Sequence, residues 1–155
     1  MLKERPFQIN RPSLLLLPQT YDKLFLYYQG KTCKSCCRVP KEPCLCLICG
    51  TLVCMKENCC RVNASLEAVA HSESCGAGTA IYLAVNSSTI IVIRGKRACV
   101  WGSLYLDDFG EEDKDLKRGK PLYLCELRLA ALEHQWLTHS FDHTNKRWIF
   151  HKDNL

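Results

Sequence analysis

Cys33-Lys34-Ser35-Cys36-Cys37, then Cys44-Leu45-Cys46-Leu47-Ile48-Cys49-Gly50, Cys54, Cys59-Cys60 and His71-Ser72-Glu73-Ser74-Cys75-Gly76 put ten of the chain's 12 cysteines inside residues 33–75. Two C-x-x-C knuckles, Cys33/Cys36 and Cys46/Cys49, let pairs of thiolates reach one ion from a tight turn, and Gly50 permits the backbone conformation that follows the second. His71 and Cys75 are four residues apart, a usual separation for two ligands of one metal. Long periodic secondary structure is absent from this stretch. Such a segment cannot bury enough apolar surface to order itself, so the reading is an irregular segment stapled by one or two Zn2+ ions. Buried reduced cysteines packing as small hydrophobes explain one or two such residues, not the clustering. Cys37, Cys44, Cys99 and Cys125 are read as such packing residues.

Two pairings remain open. A sequential one joins Cys33, Cys36, Cys46 and Cys49 at one ion and leaves Cys54, Cys59 or Cys60, His71 and Cys75 for another. An interleaved one joins Cys46 and Cys49 to His71 and Cys75, with Cys33, Cys36 and two of Cys54, Cys59 and Cys60 forming the second. The interleaved version is preferred because it staples the strands downstream to the knuckle. With four protein ligands available per ion, closed structural sites are the default. His71-Ser72-Glu73 matches the H-x-E element of zinc deaminases, but here it follows the cysteines instead of preceding them, and Pro43-Cys44-Leu45-Cys46 is not P-C-x-x-C. No C-x-H-x-x-C core exists for a RING finger.

Outward from the cluster the chain becomes ordinary. Ala80–Val85 and Thr89–Ile93 are apolar, β-branched and separated by Asn86-Ser87-Ser88, which predicts a hairpin covered on both faces, with a third strand over 98–101. Gln19-Thr20 offers an N-cap hydroxyl to a short helix over 20–28, whose apolar residues nearly encircle it and predict burial. Pro121 suits a first helical position, and Leu122, Cys125, Leu129, Leu132 and Trp136 form a helical stripe, predicting a helix over 121–139. The expected fold is α+β: the zinc-stapled segment (33–75), a β-hairpin or small antiparallel sheet (79–101) and a C-terminal packing helix. The domain spans 14–140, between a linker or loose terminus at 1–13 and a tail at 141–155, where Trp148, Ile149 and Phe150 suit a short docking strand.

The 155 residues are 47% hydrophobic and 24% charged, values of a globular chain. No apolar run approaches the roughly 18 residues of a membrane span, and the start has no hydrophobic signal core, so the thiols are expected in a reducing compartment rather than in disulfides. The formal charge of +5 counts every thiol as neutral. One zinc site of four cysteines and one of three cysteines and a histidine would lower it to about +2. Charge therefore gives a nucleic-acid partner little support.

Leu45–Gly50, Cys59-Cys60, and His71 followed by Ser74-Cys75-Gly76-Ala77-Gly78 ahead of an apolar hairpin together resemble the C-terminal domain of UBR-family E3 ubiquitin ligases. A second signature, Tyr105-Leu106-Asp107-Asp108-Phe109-Gly110-Glu111 with Leu116-Lys117-Arg118-Gly119-Lys120-Pro121-Leu122-Tyr123-Leu124, is similar to the family's Y-L-D-x-x-G-E and L-x-R-G-x-P-L-x-L pattern. The resemblance covers roughly residues 14–140. It implies a zinc-bearing cap of a very large ligase in which a UBR box recognises substrate, several members reading destabilising N-terminal residues, and a RING recruits the ubiquitin-conjugating enzyme. The chain carries neither UBR box nor RING, so the resemblance implies a piece of a ligase that is not catalytic by itself. Its partners would be the ligase's other domains and, indirectly, the conjugating enzyme and substrate, in the cytoplasm, with the nucleus as a second compartment. Tyr105, Asp107, Asp108 and Arg118 are the candidates for contact with a neighbouring ligase domain, against the plainer reading of a solvated charged loop. The other reading is a stand-alone zinc-binding module for a protein or nucleic-acid partner.

Overall fold

A computed structural model of the chain describes residues 13–54, 60, 66–95 and 97–141, together with the backbone of 149–150. The expected terminus at 1–13 (save Ser13), Cys59 and nearly all of the tail at 141–155, Trp148 included, lie outside the described residues. The architecture is α+β. Helix α1 (Tyr21–Tyr28) is followed by strands β1 (Pro43–Cys46) and β2 (Leu52–Cys54), helix α2 (Glu67–Cys75), and strands β3 (Thr79–Ala84), β4 (Thr89–Arg94) and β5 (Arg97–Gly102). Two short strands, β6 (Tyr105–Leu106) and β7 (Tyr123–Leu124), precede helix α3 (Glu126–Leu137), and β8 (Ile149–Phe150) comes last.

The sheet is larger than a hairpin with one added strand. Its order is β2-β1-β3-β4-β5-β8, antiparallel at every pairing. Residues 33–75 are correspondingly less irregular than expected, because they supply β1, β2 and α2. Strands of four and three residues and a nine-residue helix are too short to leave a periodic signal. One sheet face, with Leu45, Ile81, Leu83, Ile90, Val92 and Cys99, shares a core with Tyr21 and Leu24 of α1, Leu14, and Leu132 of α3. The other, with Cys46, Val53, Ala80, Tyr82 and Ile93, packs against Leu66, Ala68 and Val69 at the start of α2. Covering both faces explains why β3 and β4 read as continuous apolar runs.

Two helices differ from the sequence reading. α1 is buried along one side only. Tyr21 and Leu24 face inward, while Leu26 and Tyr27 are 71% and 62% exposed, and Thr20 stands at the N-cap without a side-chain cap bond. The C-terminal helix begins at Glu126, not Pro121. Leu122 and Leu124 are buried, but from an extended segment: the N–H of Tyr21 donates to the Leu122 carbonyl and that of Leu124 to Gln19. Leu122 and Cys125 happened to fall in line with the helical stripe of Leu129, Leu132 and Trp136. A bulge in β5 makes Trp101 the extra residue between the Ile91–Val100 and Ile90–Gly102 pairs, and its indole N–H reaches Gln135 of α3 at 2.9 Å.

Leu24→Ala is expected to lower stability by about 2–5 kcal/mol in chemical denaturation, as for other large-to-small core changes. Leu26→Ala, two residues on, should stay within about 0.5 kcal/mol. Equal losses would mean that α1 is buried on both sides.

Candidate metal centres and the acidic loop

The first cluster gathers four thiols from three places. Cys33 and Cys36 come from the turn after α1, Cys54 closes β2, and Cys60 lies beyond it; their sulfurs all lie within 4.8 Å of one another. Cys33, Cys54 and Cys60 are buried and Cys36 is half-buried. The turn closes through the N–H of Cys37 donating to the Cys33 carbonyl at 2.8 Å, with Cys37 in the left-handed region at φ 58°. Cys37 is exposed and therefore does not pack as expected, whereas Cys44 and Cys99 are in the core. Cys125 is half-buried at the N-cap of α3.

The second cluster joins Cys46 and Cys49 to His71 and Cys75, again within 4.8 Å. Cys46 ends β1, and the knuckle turns back as the N–H of Gly50, at φ 82°, donates to the Cys46 carbonyl at 2.8 Å. His71 and Cys75 stand one turn apart on α2 and so share a face. The phenol of Tyr82 in β3 donates to the Ala68 carbonyl at 2.6 Å and fixes that helix over the sheet. At the other end of α2, a Cβ on Gly76 would lie 1.8 Å from the Thr79 carbonyl oxygen, so only glycine allows the chain to drop from Cys75 into β3.

The grouping is the interleaved one, with Cys54 and Cys60 completing the first set. The donors suit zinc in spacing as well as type. Tetrahedral thiolates at about 2.3 Å from zinc stand about 3.8 Å apart. The sulfur separations are 3.6 Å for Cys33–Cys60, 3.9 Å for Cys36–Cys54, 3.8 Å for Cys60–Cys54 and 4.0 Å for Cys46–Cys75. Cys49 Sγ is 3.2 Å from His71 Nε2. Disulfide sulfurs would be about 2.05 Å apart, and no disulfide joins the described cysteines.

Protons resist leaving such a group. Burial pushes the Cys46 thiol up to about 12, against the pull of the Cys49 and Ile48 N–H groups, and the neighbouring Cys49 and Cys75 add to the rise. Burial also raises Cys54 and Cys75. At Cys49 burial is outweighed by the hydroxyl and N–H of Thr51 and by Cys75 and Cys46, which hold its thiol at about 6. The raised thiols of Cys46, Cys54 and Cys75 would need a cation to release their protons, while Cys49 releases its own more readily.

The acidic loop is organised inward. Tyr105 is fully buried; its phenol donates to the Pro18 carbonyl at 2.7 Å and its ring meets Tyr21 edge-on. Asp107 accepts from the N–H groups of Phe109 and Glu111 at 2.8 and 3.0 Å, closing an Asx-type turn. Its other oxygen lies 3.1 Å from Arg118, which also bridges to Glu111 and Asp113 and donates to the Glu112 carbonyl. Three of the four candidate contact residues, Tyr105, Asp107 and Arg118, thus bind the loop to its own chain. The segment presents Asp108 and the 78% exposed Phe109 outward. Asp107-Asp108-Phe109-Gly110 was legible as a connection, but nothing in it marked Asp107 as inward-facing.

Residues 4–138 match the family model described as Proteolysis_6 C-terminal. The chain is 59% identical over 146 residues to the E3 ubiquitin-protein ligase Ubr3 of Drosophila melanogaster, covering 94% of this chain and 7% of that protein. It is 56% identical over 144 residues to the E3 ubiquitin-protein ligase UBR3 of Homo sapiens, covering 93% and 8%. With the E3 ubiquitin-protein ligase PRT6 of Arabidopsis thaliana the identity is 42% over 142 residues, covering 91% and 7%. The chain thus spans 7% to 8% of the length of these curated relatives.

The N–H groups of Glu111 and Phe109, with Arg118 and Lys120, hold the Asp107 carboxyl below its ordinary value. A depressed carboxyl contributes stability that is complete above the unfolded aspartate value of about 3.9 and is lost as pH falls through the folded one. Asp107→Asn should therefore lower the denaturation midpoint at neutral pH, with the gap to the parent closing in acid. A gap independent of pH would reject the charge's role.

Proposed function

From the premise that the chain belongs to the Proteolysis_6 C-terminal family, as the C-terminal domain type of UBR-family E3 ubiquitin ligases, we propose that it is a zinc-stabilised cap, structural within a ligase of the N-degron type. Cys33, Cys36, Cys54 and Cys60 would hold one Zn2+, and Cys46, Cys49, His71 and Cys75 the other. The observation that supports this is the completeness of both donor sets: four protein ligands fill a tetrahedral shell, as in structural zinc sites, and leave no position for a reacting water. The cap would hold the ligase's substrate-recognition and RING modules in one frame, serving ubiquitin-dependent degradation in the cytoplasm. Substrate binding and recruitment of the conjugating enzyme would belong to other domains of the same ligase. No described helix is long and apolar enough to cross a membrane. Of the loop's candidates, Asp108 would be the charge that meets a neighbouring domain, a reading supported by its exposure and by the exposed Phe109 beside it.

Structural zinc contributes about 10–16 kcal/mol of apparent binding free energy in finger peptides, comparable to the roughly 5–15 kcal/mol of a whole domain. Chelation of the purified chain should release two zinc ions per molecule and unfold residues 33–75, read by metal analysis and circular dichroism. A chelated sample with unchanged dichroism and no released zinc would contradict the proposal.

A further inference from the structure

Glu67 is a carboxylate where the sequence suggests nothing in particular, yet only 9% of its surface is exposed. It is the first residue of α2, where the helix dipole favours a negative charge. Its two oxygens are spent on the first cluster. Oε1 accepts from the backbone N–H of Cys54 at 2.7 Å and lies 3.6 Å from Cys33 Sγ. Oε2 accepts from the hydroxyl of Ser35 at 2.7 Å and lies 3.8 Å from the same sulfur. One side chain thereby ties the knuckle that holds Cys33 and Cys36 to the strand end that holds Cys54. It is not among the four mutually close donors itself.

Glu67, His71 and Cys75 follow one another at four-residue intervals, so they lie along one face of the helix, about 12 Å from first to last. The N-terminal end of that face holds the first cluster, and the C-terminal part supplies half of the second. Tyr82, anchored to Ala68, and the turn at Gly76 keep the helix from sliding. A rigid nine-residue rod therefore has a fixed point in each cluster.

We propose that Glu67 is a positioning residue that couples the two metal centres, so that filling one through α2 prepares the other. The inference rests on the zinc reading above. Metal at the second centre fixes His71 and Cys75, hence α2, hence the carboxylate that holds the Cys54 N–H directly and the Cys33 knuckle through Ser35, whose own N–H donates to the Cys33 sulfur. The hydrogen bonds carry the effect, not the charge. Glu67→Gln still offers an oxygen to the Cys54 N–H and an amide NH2 to Ser35 and Cys33, and so preserves it.

Cobalt(II) titration of the full chain tests this, because an all-thiolate centre and one with an imidazole ligand give different visible absorption. Cys49→Ser, which cripples the second centre, is expected to weaken cobalt binding at the first by about tenfold. Coupling is reciprocal, so Cys36→Ser should weaken the second centre by a similar factor. In a Glu67→Ala background, Cys49→Ser should change the first centre by less than about twofold, and Glu67→Gln should restore the tenfold effect. If Glu67→Ala fails to fold, Ser35→Ala, which removes one donor to the carboxylate, takes its place and must reduce the coupling. Cobalt at both centres with no effect of Cys49→Ser on the first, or an effect undiminished without the Glu67 contacts, overturns the inference alone. No cobalt uptake at either centre overturns the zinc reading and this inference with it.

Discussion

Thiols packed within 4.8 Å of one another cannot all ionise unless something positive sits between them, and the first half of this chain holds two such sets, one of four thiols and one of three thiols with an imidazole. The pieces they join are short: strands of four and three residues, a nine-residue helix and the turn after α1. None of these buries much apolar surface alone. Cys46 and Cys54 sit at strand ends, so each donor set also holds the end of a short strand of the sheet. The sheet carries a conventional two-faced core, with Leu45, Ile81 and Leu83 on one side and Tyr82 and Ile93 on the other. On the zinc reading, coordination adds to apolar burial in β1, β2 and α2, which also place Leu45, Val53 and Ala68 in the core.

What the amino-acid order disclosed follows from the range of each interaction. The knuckles at Cys33/Cys36 and Cys46/Cys49 and the one-turn pair His71/Cys75 are local, and their ligand character could be read directly. Their interleaving depends on α2 packing on the sheet against β2, β3 and β4, a tertiary fact, so spacing alone left a sequential alternative standing. The hairpin of β3 and β4 was legible because β-branched runs flank a turn. α2 was not, since its sheet-facing residues are mostly ligands and small side chains rather than an apolar stripe. Leu122 and Cys125 misled in the opposite direction: an extended segment leading into α3 mimicked its first turn.

Charge patterns proved the least transparent feature. Asp107 and Arg118 look like surface in a segment dense with acids and bases, but they satisfy backbone N–H and carbonyl groups that the loop could not otherwise pair. An exposed connection can thus hold a defined shape through polar bonds to its own backbone, while it displays the side chains of Asp108 and Phe109 outward.

The turn at Gly76 has a consequence for how sequence changes in this domain would be understood. No side chain there could coexist with the Thr79 carbonyl, so any replacement must shift the backbone of the turn that joins the helix to β3. Cys75, the neighbouring residue, would move with it. An alteration that removes no ligand would then show itself as a defect of coordination, and a survey that sorted variants by chemical type would file it under the wrong cause.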